Sequence, residues 1–226
     1  EPLKEEKINV NDTVVVIGGG IAGMTAARSL ALQGYPTHII EKKEQLGGEA
    51  HKLYRTAQGE DVKKNLTALI QEVEGNDNIT VHCNTTLESV DGFVGNFKST
   101  LKTNDKPFEM EYGAAVLATG AKGLVPTEYE YGKDERIITS LDLDKMFKED
   151  DPGLSKVNSA VFIQCVGSRQ EDRPYCSRVC CTHSVDNAIE LKKRNPQMDV
   201  FIIYRDIRTY GERELLYKEA RELGVI

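Results

Sequence analysis

Residues 14–23 read Val-Val-Val-Ile-Gly-Gly-Gly-Ile-Ala-Gly and are followed by a stretch rich in Ala and Leu. The β-branched run predicts a strand that is buried on both faces and that the glycines end. The Ala and Leu residues predict a helix that begins at Ile21 and is terminated by Gly34. Because residues 36–41 predict a second strand, we expect residues 13–41 to form a right-handed βαβ unit.

Three glycines between the first strand and the helix have the Gly-x-Gly-x-x-Gly spacing of a dinucleotide-binding turn. Gly18 permits the tight turn, Gly20 lets a pyrophosphate approach the backbone, and Gly23 lets the helix pack closely against the strand. A phosphate would then bind the free N–H groups at the start of the helix, near Ile21 and Ala22. The strand, the turn and the helix together predict a nucleotide site.

Further candidate contacts follow this unit. Glu41 ends the second strand, where a carboxylate accepts hydrogen bonds from the ribose hydroxyls of a bound adenosine. Leu46-Gly47-Gly48, which follows Glu41-Lys42, and Ala118-Thr119-Gly120 resemble segments of two-dinucleotide-domain flavoproteins similar to thioredoxin reductase. That resemblance implies FAD in place of NAD, with candidate contacts at Glu41, Lys42, Gly47, Gly48, Ala118, Thr119 and Gly120.

The remaining pattern predicts an α/β protein with a small antiparallel meander inserted in it, and the resemblance implies a Rossmann-like FAD/NAD(P)-binding flavoprotein fold. Turn signals at Asp91-Gly92, Gly95-Asn96 and Asn104-Asp105 break the meander into short segments. Helices are predicted at 61–73, 180–194 and 212–223, and strands at 79–82, 112–120 (buried), 159–166 and 200–204.

The composition of the linking segment suggests how these elements are divided. We expect an FAD-binding domain at 1–127, a linker at 128–156 with one short helix near 140–148, and a second, incomplete dinucleotide-binding-like domain at 157–226. The first residue is not Met, and the last helix ends where another strand normally begins. We therefore interpret the sequence as a fragment.

The bulk composition excludes several classes of partner. Of the 226 residues 39% are apolar, and the formal charge of −7 is spread along the chain without a basic stripe. This distribution argues against binding to nucleic acid or to an anionic membrane. No apolar run approaches the roughly 20 residues that span a bilayer, and residues 1–7 contain no signal-peptide core. We therefore expect a cytoplasmic protein.

Four of the five cysteines lie close together in the second half, at Cys165, Cys176, Cys180 and Cys181. An odd number in a chain without export signals argues against a disulfide framework and favours metal or redox use. The last two begin a predicted helix, whose N-terminus stabilises thiolates. Four thiolates could hold an iron–sulfur cluster or a structural zinc, and inert cysteines are the alternative. We expect Cys83 to pack in the core and His183 to be a surface histidine more readily than a ligand.

Six segments together resemble the flavoprotein A subunit of heterodisulfide reductase and its bacterial relatives. They are Val-Ile-Gly-Gly-Gly-Ile-Ala-Gly at 16–23, Val-Asp-Gly-Phe-Val-Gly-Asn-Phe at 90–97, Ala-Thr-Gly-Ala-Lys at 118–122, Gln-Cys-Val-Gly-Ser-Arg at 164–169, Tyr-Cys-Ser-Arg-Val-Cys-Cys at 175–181 and Tyr-Arg-Asp-Ile-Arg-Thr-Tyr-Gly at 204–211. The last three are specific to this family, whereas the first and third occur across many flavoproteins.

The resemblance implies an FAD-dependent oxidoreductase that transfers electrons within a heterodisulfide reductase-like complex. It implies a 4Fe–4S cluster on the four clustered cysteines, partner subunits and, we expect, a homo-oligomer. Cys-Val-Gly-Ser-Arg stands where a nicotinamide-binding glycine trio would stand. The ferredoxin-like cysteine runs of many members and the segment that completes the flavin domain are missing.

Two other functions stay open at this stage. An NAD(P)H-dependent disulfide oxidoreductase would need a nicotinamide motif and a redox pair, and the chain has no Cys-x-x-Cys. A non-catalytic assembly module stabilised by FAD or zinc is the second alternative. Arg205, Asp206 and Arg208 follow a predicted strand and are interpreted as a buried charge network, a partner contact or a solvated loop.

Overall fold

The computed structural model describes residues 9–226. The predicted lack of a signal-peptide core concerns residues 1–7, which lie outside this range. The described chain divides into two compact units. The first contains residues 9–51 and Val62–Lys122, and the second contains Lys52–Asp61 and Gly123–Ile226.

The elements alternate as the sequence predicts, and most differ from prediction only at their ends. The strands are β1 (Val14–Ile17), β2 (Thr37–Ile40), β3 (Ile79–His82), β4 (Thr85–Phe93), β5 (Asn96–Thr103), β6 (Lys106–Tyr112), β7 (Ala114–Leu117), β8 (Ser159–Ile163) and β9 (Asp199–Ile203). The helices are α1 (Ile21–Leu32), α2 (Val62–Glu74), α3 (Ser140–Lys148), α4 (Cys180–Arg194) and α5 (Glu214–Glu222).

A parallel sheet with the strand order β3-β2-β1-β7 forms the centre of the first unit. Val14 of β1 lies opposite Thr37 on one side and opposite Ala114 on the other. Val15 and Val16 are 1% and 0% exposed, which confirms the prediction of a strand buried on both faces. Because these strands are parallel and in register, the segments that follow them meet at one edge of the sheet.

The predicted burial of the strand within residues 112–120 is wrong. Leu117 of β7 is 77% exposed, and β7 is an edge strand with no further strand of residues 9–226 beside it. An apolar run is equally compatible with a buried central strand and with an edge strand, so the sequence pattern does not distinguish them.

The antiparallel meander of β4, β5 and β6 is confirmed. Asn104 and Asp105 have φ values of 46° and 67°, as expected for a tight hairpin turn between β5 and β6. The predicted break at Asp91-Gly92 is wrong, because both residues lie inside β4 and pair with β5. Gly92 adopts φ 93° within the strand, and a Cβ there would lie 2.2 Å from the Asn96 carbonyl oxygen.

The second unit is built on the parallel pair β8 and β9, connected through α4. Its core contains apolar side chains from both α4 and β9, among them Val185, Ile189 and Val200. Ile226 pairs with β9, since its N–H donates to the Val200 oxygen at 3.0 Å and its carbonyl accepts from Ile202 at 2.8 Å. This α/β arrangement agrees with the predicted second dinucleotide-binding-like fold.

The segment predicted as a linker contributes to the second unit. Thr139 and Asp142 form a capping box at the start of α3, which confirms the short helix. Leu143, Phe147 and Leu154 are 7%, 1% and 8% exposed in the core of the second unit. Residues 140–156 therefore pack into the second unit and do not form a free linker. The division between the two compact units falls after Lys122. The functional division into two cofactor domains stays a prediction.

A buried group of charges holds residues 52–61 within the second unit. The Arg55 guanidinium contacts Asp186 Oδ1 at 2.9 Å and Glu190 Oε2 at 2.6 Å, with side-chain exposures of 19%, 9% and 11% for the three residues. Asp144, 1% exposed, accepts hydrogen bonds from the Tyr54 N–H at 3.1 Å and from the Asn187 amide at 3.0 Å. Both carboxylates of α4 are thus paired, as buried charges need to be.

Candidate functional site

The glycine turn after β1 has no room for side chains at two of its three positions. A Cβ on Gly18 would lie 2.3 Å from the Ala118 oxygen, and one on Gly23 would lie 1.8 Å from the Gly18 oxygen. Gly20 differs, because nothing described lies within 4 Å of the Cβ position there. The outer two glycines therefore serve the packing of strand and helix, and the middle one leaves an open approach to the backbone.

The start of α1 presents donors to this opening. Gly20 is the N-cap with φ −79° and ψ −176°, and no side chain of residues 9–226 caps the helix there. No acidic residue lies in the first turn. The N–H groups at the start of α1, near Ile21 and Ala22, thus have no side-chain cap, and the positive end of the helix dipole favours an anion beside them.

Glu41 lies beside the same turn. It is 6% exposed, and its two carboxylate oxygens accept from the Gly19 N–H at 2.7 Å and the Lys43 N–H at 2.8 Å. A carboxylate has about four acceptor positions, so capacity remains for ribose hydroxyls. The sequence analysis missed Gly19. The signal that could have identified it is the run of three consecutive glycines, of which the motif requires only two. A Cβ on Gly19 would lie 2.5 Å from Leu46.

The predicted glycine pair is brought to the turn by backbone contacts. Gly47 donates its N–H to the Gly19 oxygen at 2.7 Å, and a Cβ on Gly48 would lie 3.3 Å from Gly20 Cα. On the other side of β1, Ala118 donates to the Ile17 oxygen at 2.8 Å. The structure therefore gathers the glycine turn, Glu41, the glycine pair and the start of Ala118-Thr119-Gly120 at one edge, while Lys42, Thr119 and Gly120 are exposed.

The four clustered cysteines lie in the loop after β8 and at the start of α4. Burial raises the pKa of the Cys180 thiol, and the charges of Cys181, Cys165 and Cys176 raise it further against a backbone hydrogen bond that lowers it. The charges of the other three clustered cysteines thus act on the Cys180 thiol. At Cys180, burial opposes the stabilisation of a thiolate that we expect from the helix N-terminus.

Among residues 9–226, no group of three or more His, Cys, Asp or Glu side chains is placed to hold a single metal ion. His183 is directed to the carboxylate of Asp144 at 2.9 Å, so it is not brought to the cysteines. Cys83 is half-buried and lies outside the core, contrary to the expectation of core packing.

A cation that the sequence reasoning missed lies beside the cysteines. Arg169 Nη1 is 3.9 Å from Cys165 Sγ, and the same nitrogen bonds Asp206. Asp206 also accepts from Arg208 at 2.8 Å, and Arg205 bonds the Arg169 carbonyl. For Arg205, Asp206 and Arg208, the structure supports the interpretation as a charge network. This network is partly exposed and not buried.

A cavity of about 240 Å³ opens at the carboxyl ends of β8 and β9. Its lining includes Gln164, Cys165, Tyr204 and Arg205. Ligands of open parallel sheets bind at this end of the strands. The cysteine neighbourhood is thus placed at the edge where the second dinucleotide-binding-like fold would hold a ligand.

The fold and the glycine turn together are those of a dinucleotide-binding α/β protein. A model of the family described as pyridine nucleotide-disulphide oxidoreductase matches residues 12–162. The chain belongs to this family. The assignment confirms the predicted oxidoreductase class and supports FAD as the cofactor.

Curated relatives confirm the predicted resemblance to the A subunit of heterodisulfide reductase. The A subunit of the H(2):CoB-CoM heterodisulfide,ferredoxin reductase of Methanothermobacter marburgensis is 29% identical over 98% of this chain and 48% of its own length. The iron-sulfur A subunit of the CoB--CoM heterodisulfide reductase of Methanocaldococcus jannaschii is 26% identical over the same shares. The chain thus spans about half the length of these relatives.

Solved structures confirm the fold class. Thioredoxin reductase from Lactococcus lactis has a TM-score of 0.58 at 17% identity and covers 95% of this chain and 63% of its own. L-proline dehydrogenase from P. horikoshii has a TM-score of 0.50 at 20% identity, and the match covers 94% of this chain and 39% of the dehydrogenase chain.

Among the helices of residues 9–226, none combines the length and the apolar character that a membrane span requires.

Proposed function

We propose that the chain is the FAD-carrying part of an electron-transfer subunit in a heterodisulfide reductase-like complex. The observation that carries this proposal is the open Gly20 position between two crowded glycines, beside Glu41 and an uncapped helix start. A pyrophosphate requires such a cradle: space against the backbone, free N–H groups and the positive end of a helix. The relatives' names and the family support the choice of FAD and of the complex.

Each candidate residue has a distinct task in this proposal. Gly20, Ile21 and Ala22 bind the pyrophosphate through their backbone, and Glu41 accepts hydrogen bonds from the adenosine ribose. Lys42, Gly47 and Gly48, with Ala118, Thr119 and Gly120, are proposed as further contacts. Gly18 and Gly23 act by letting strand and helix approach each other.

We further propose that Cys165, Cys176, Cys180 and Cys181 ligate a 4Fe–4S cluster. Each ligand of such a cluster binds a different iron, so the sulfurs need a common neighbourhood and no single point of convergence. The charges of Cys181, Cys165 and Cys176 act on the Cys180 thiol, which supports a common neighbourhood for the four sulfurs. Next to Cys181, the buried hydroxyl of Thr182 has no hydrogen-bond partner among the described residues.

Together these sites support an oxidoreductase that joins two kinds of electron chemistry. Bound FAD supplies two-electron chemistry, and an iron–sulfur cluster supplies one-electron transfer. The protein contributes binding, orientation and electrostatics at both sites. We propose partner subunits of a heterodisulfide reductase-like complex and a homo-oligomeric assembly, with residues 1–127 for FAD and 157–226 for the cluster.

The test is an anaerobic absorption spectrum with assays for iron, sulfide and zinc, made on the wild type, Cys176→Ala, Cys180→Ala and a Cys83→Ala control. We expect flavin bands in all four proteins. We expect a broad shoulder that dithionite bleaches in the wild type and in Cys83→Ala only, because Cys83 lies outside the clustered cysteines. Flavin without iron, even after anaerobic reconstitution, would retain the FAD site and reject the cluster.

The family itself favours one second candidate, an NAD(P)H-dependent disulfide oxidoreductase. All five cysteines are free thiols in the structure. Turnover of a disulfide substrate with NADPH, lost on replacing Cys180, would favour this candidate over the cluster.

A further inference from the structure

We propose that Arg169 and Asp206 set the reduction potential of the cluster as an opposed pair of charges. Arg169 stabilises the reduced cluster, and the carboxylate of Asp206 weakens that effect. The inference rests on the proposed function, because it requires the cluster on the four cysteines.

The turn after β8 places the guanidinium beside a cysteine. Cys165, Gly167 and Arg169 have φ values of 62°, 65° and 57°. Left-handed conformations are uncommon for Cys and Arg, so the surrounding contacts must hold this turn. The Arg169 N–H donates to the Tyr175 oxygen at 3.1 Å, which ties the turn to the segment just before Cys176. Arg169 Nη1 consequently lies 3.9 Å from Cys165 Sγ.

Asp206 reaches the same cysteines from the loop after β9. Its carboxylate bonds Arg169 and also accepts from Arg208 Nε at 2.8 Å. Its main-chain oxygen lies 4.0 Å from Cys181 Sγ. One residue therefore contacts both the cation beside Cys165 and a second cysteine of the group.

The electrostatic consequence has a definite sign. Reduction adds one negative charge to a cluster, which a nearby cation favours and a nearby anion opposes. The Arg169 side chain is 24% exposed, so water and salt screen it only in part, whereas that of Asp206 is 46% exposed. Net charge and hydrogen bonds to sulfur are among the factors that set cluster potentials. Arg169 should accordingly have the larger effect.

The two substitutions should shift the potential in opposite directions. Arg169→Gln should lower the equilibrium constant for one-electron reduction about tenfold, a shift of about 59 mV to more negative potential. Asp206→Asn should give a smaller shift to more positive potential. Arg169→Lys keeps the charge and should stay near the wild type. Arg173→Gln, an exposed cation in the same loop, serves as the matched control.

The experiment is an anaerobic redox titration followed by electron paramagnetic resonance, after iron and sulfide have been measured in each protein. Opposite shifts at full iron content support the inference, since loss of structure alone would not move the potential in both directions. Unchanged potentials at full iron content overturn it and leave the proposed cluster intact. If Arg169→Gln loses iron, Asp206→Asn provides the test. A shift of its reduction potential to a more positive value supports the inference, and an unchanged potential overturns it. A wild type that holds no iron after reconstitution overturns the cluster and this inference together.

Discussion

Adding a single methyl group at Gly20 should weaken cofactor binding without impairing folding. The Cβ of Gly20→Ala meets no described atom within 4 Å, and the backbone at φ −79° suits alanine. Alanine is a poorer N-cap than glycine by about 0.5–1 kcal/mol, while the less flexible unfolded chain offsets about 0.4–1 kcal/mol. We therefore expect the free energy of unfolding to change by less than about 1 kcal/mol.

The same methyl group occupies the space through which a pyrophosphate approaches the backbone. Loss of one or two hydrogen bonds to a charged phosphate, at about 1.5–3 kcal/mol each, should weaken FAD binding by at least about tenfold. Gly23→Ala is the matched comparison, because its Cβ would lie 1.8 Å from the Gly18 oxygen. Such overpacking against backbone should cost about 3 kcal/mol of stability.

The assay pairs urea denaturation of the apoprotein with a fluorescence titration of FAD. Gly20→Ala should unfold like the wild type and bind FAD at least about tenfold more weakly, and Gly23→Ala should unfold more easily. Binding of FAD to Gly20→Ala with wild-type affinity would refute the assignment of the open position to the pyrophosphate. Equal stability of Gly23→Ala and the wild type would refute the packing argument.

Two further predictions concern buried polar contacts. Arg55→Ala removes the ion-pair partner of the buried Asp186 carboxylate, leaves Glu190 paired with Arg194 alone, and should lower the free energy of unfolding by about 3–5 kcal/mol, whereas the exposed Arg136→Ala should have no measurable effect in the same urea titration. Burial lowers the pKa of His38 and of His82 below 6.5, and the charge of His38 lowers that of His82 further. The unfolded chain then binds protons that the folded chain does not, so stability should be full above about pH 6.5 and fall below it. Urea titrations at pH 8 and 5.5 should show a smaller loss for a His38→Gln, His82→Gln double variant, and an unchanged loss would contradict this origin.

Local patterns were sufficient for most of the first unit. The βαβ unit, the glycine turn and Glu41 depend on residues near one another in sequence, and strand and helix periodicity place them reliably. The hairpin at Asn104 and Asp105 follows from the same local chemistry. The prediction of a break at Gly92 was wrong because an isolated glycine is typical both of turns and of irregularities within a strand.

The cysteine region could be predicted only as a set of residues. Spacing and resemblance selected the four cysteines, but Arg169 and Asp206 are 37 residues apart along the chain and meet through separate loops. The same is true of Arg55 and its carboxylates on α4, whose separation in sequence exceeds 130 residues. No local pattern marks such pairs.

For this chain, sequence alone determined the α/β class and selected the glycine turn and the candidate ligands, because these depend on local backbone preferences and on residue type. The tertiary structure decided which glycines are crowded and which is open, that β7 is an edge strand, and which charges face the cysteines. Those properties arise from contacts between segments distant in the chain, and their energies depend on burial, which the linear order of residues does not specify.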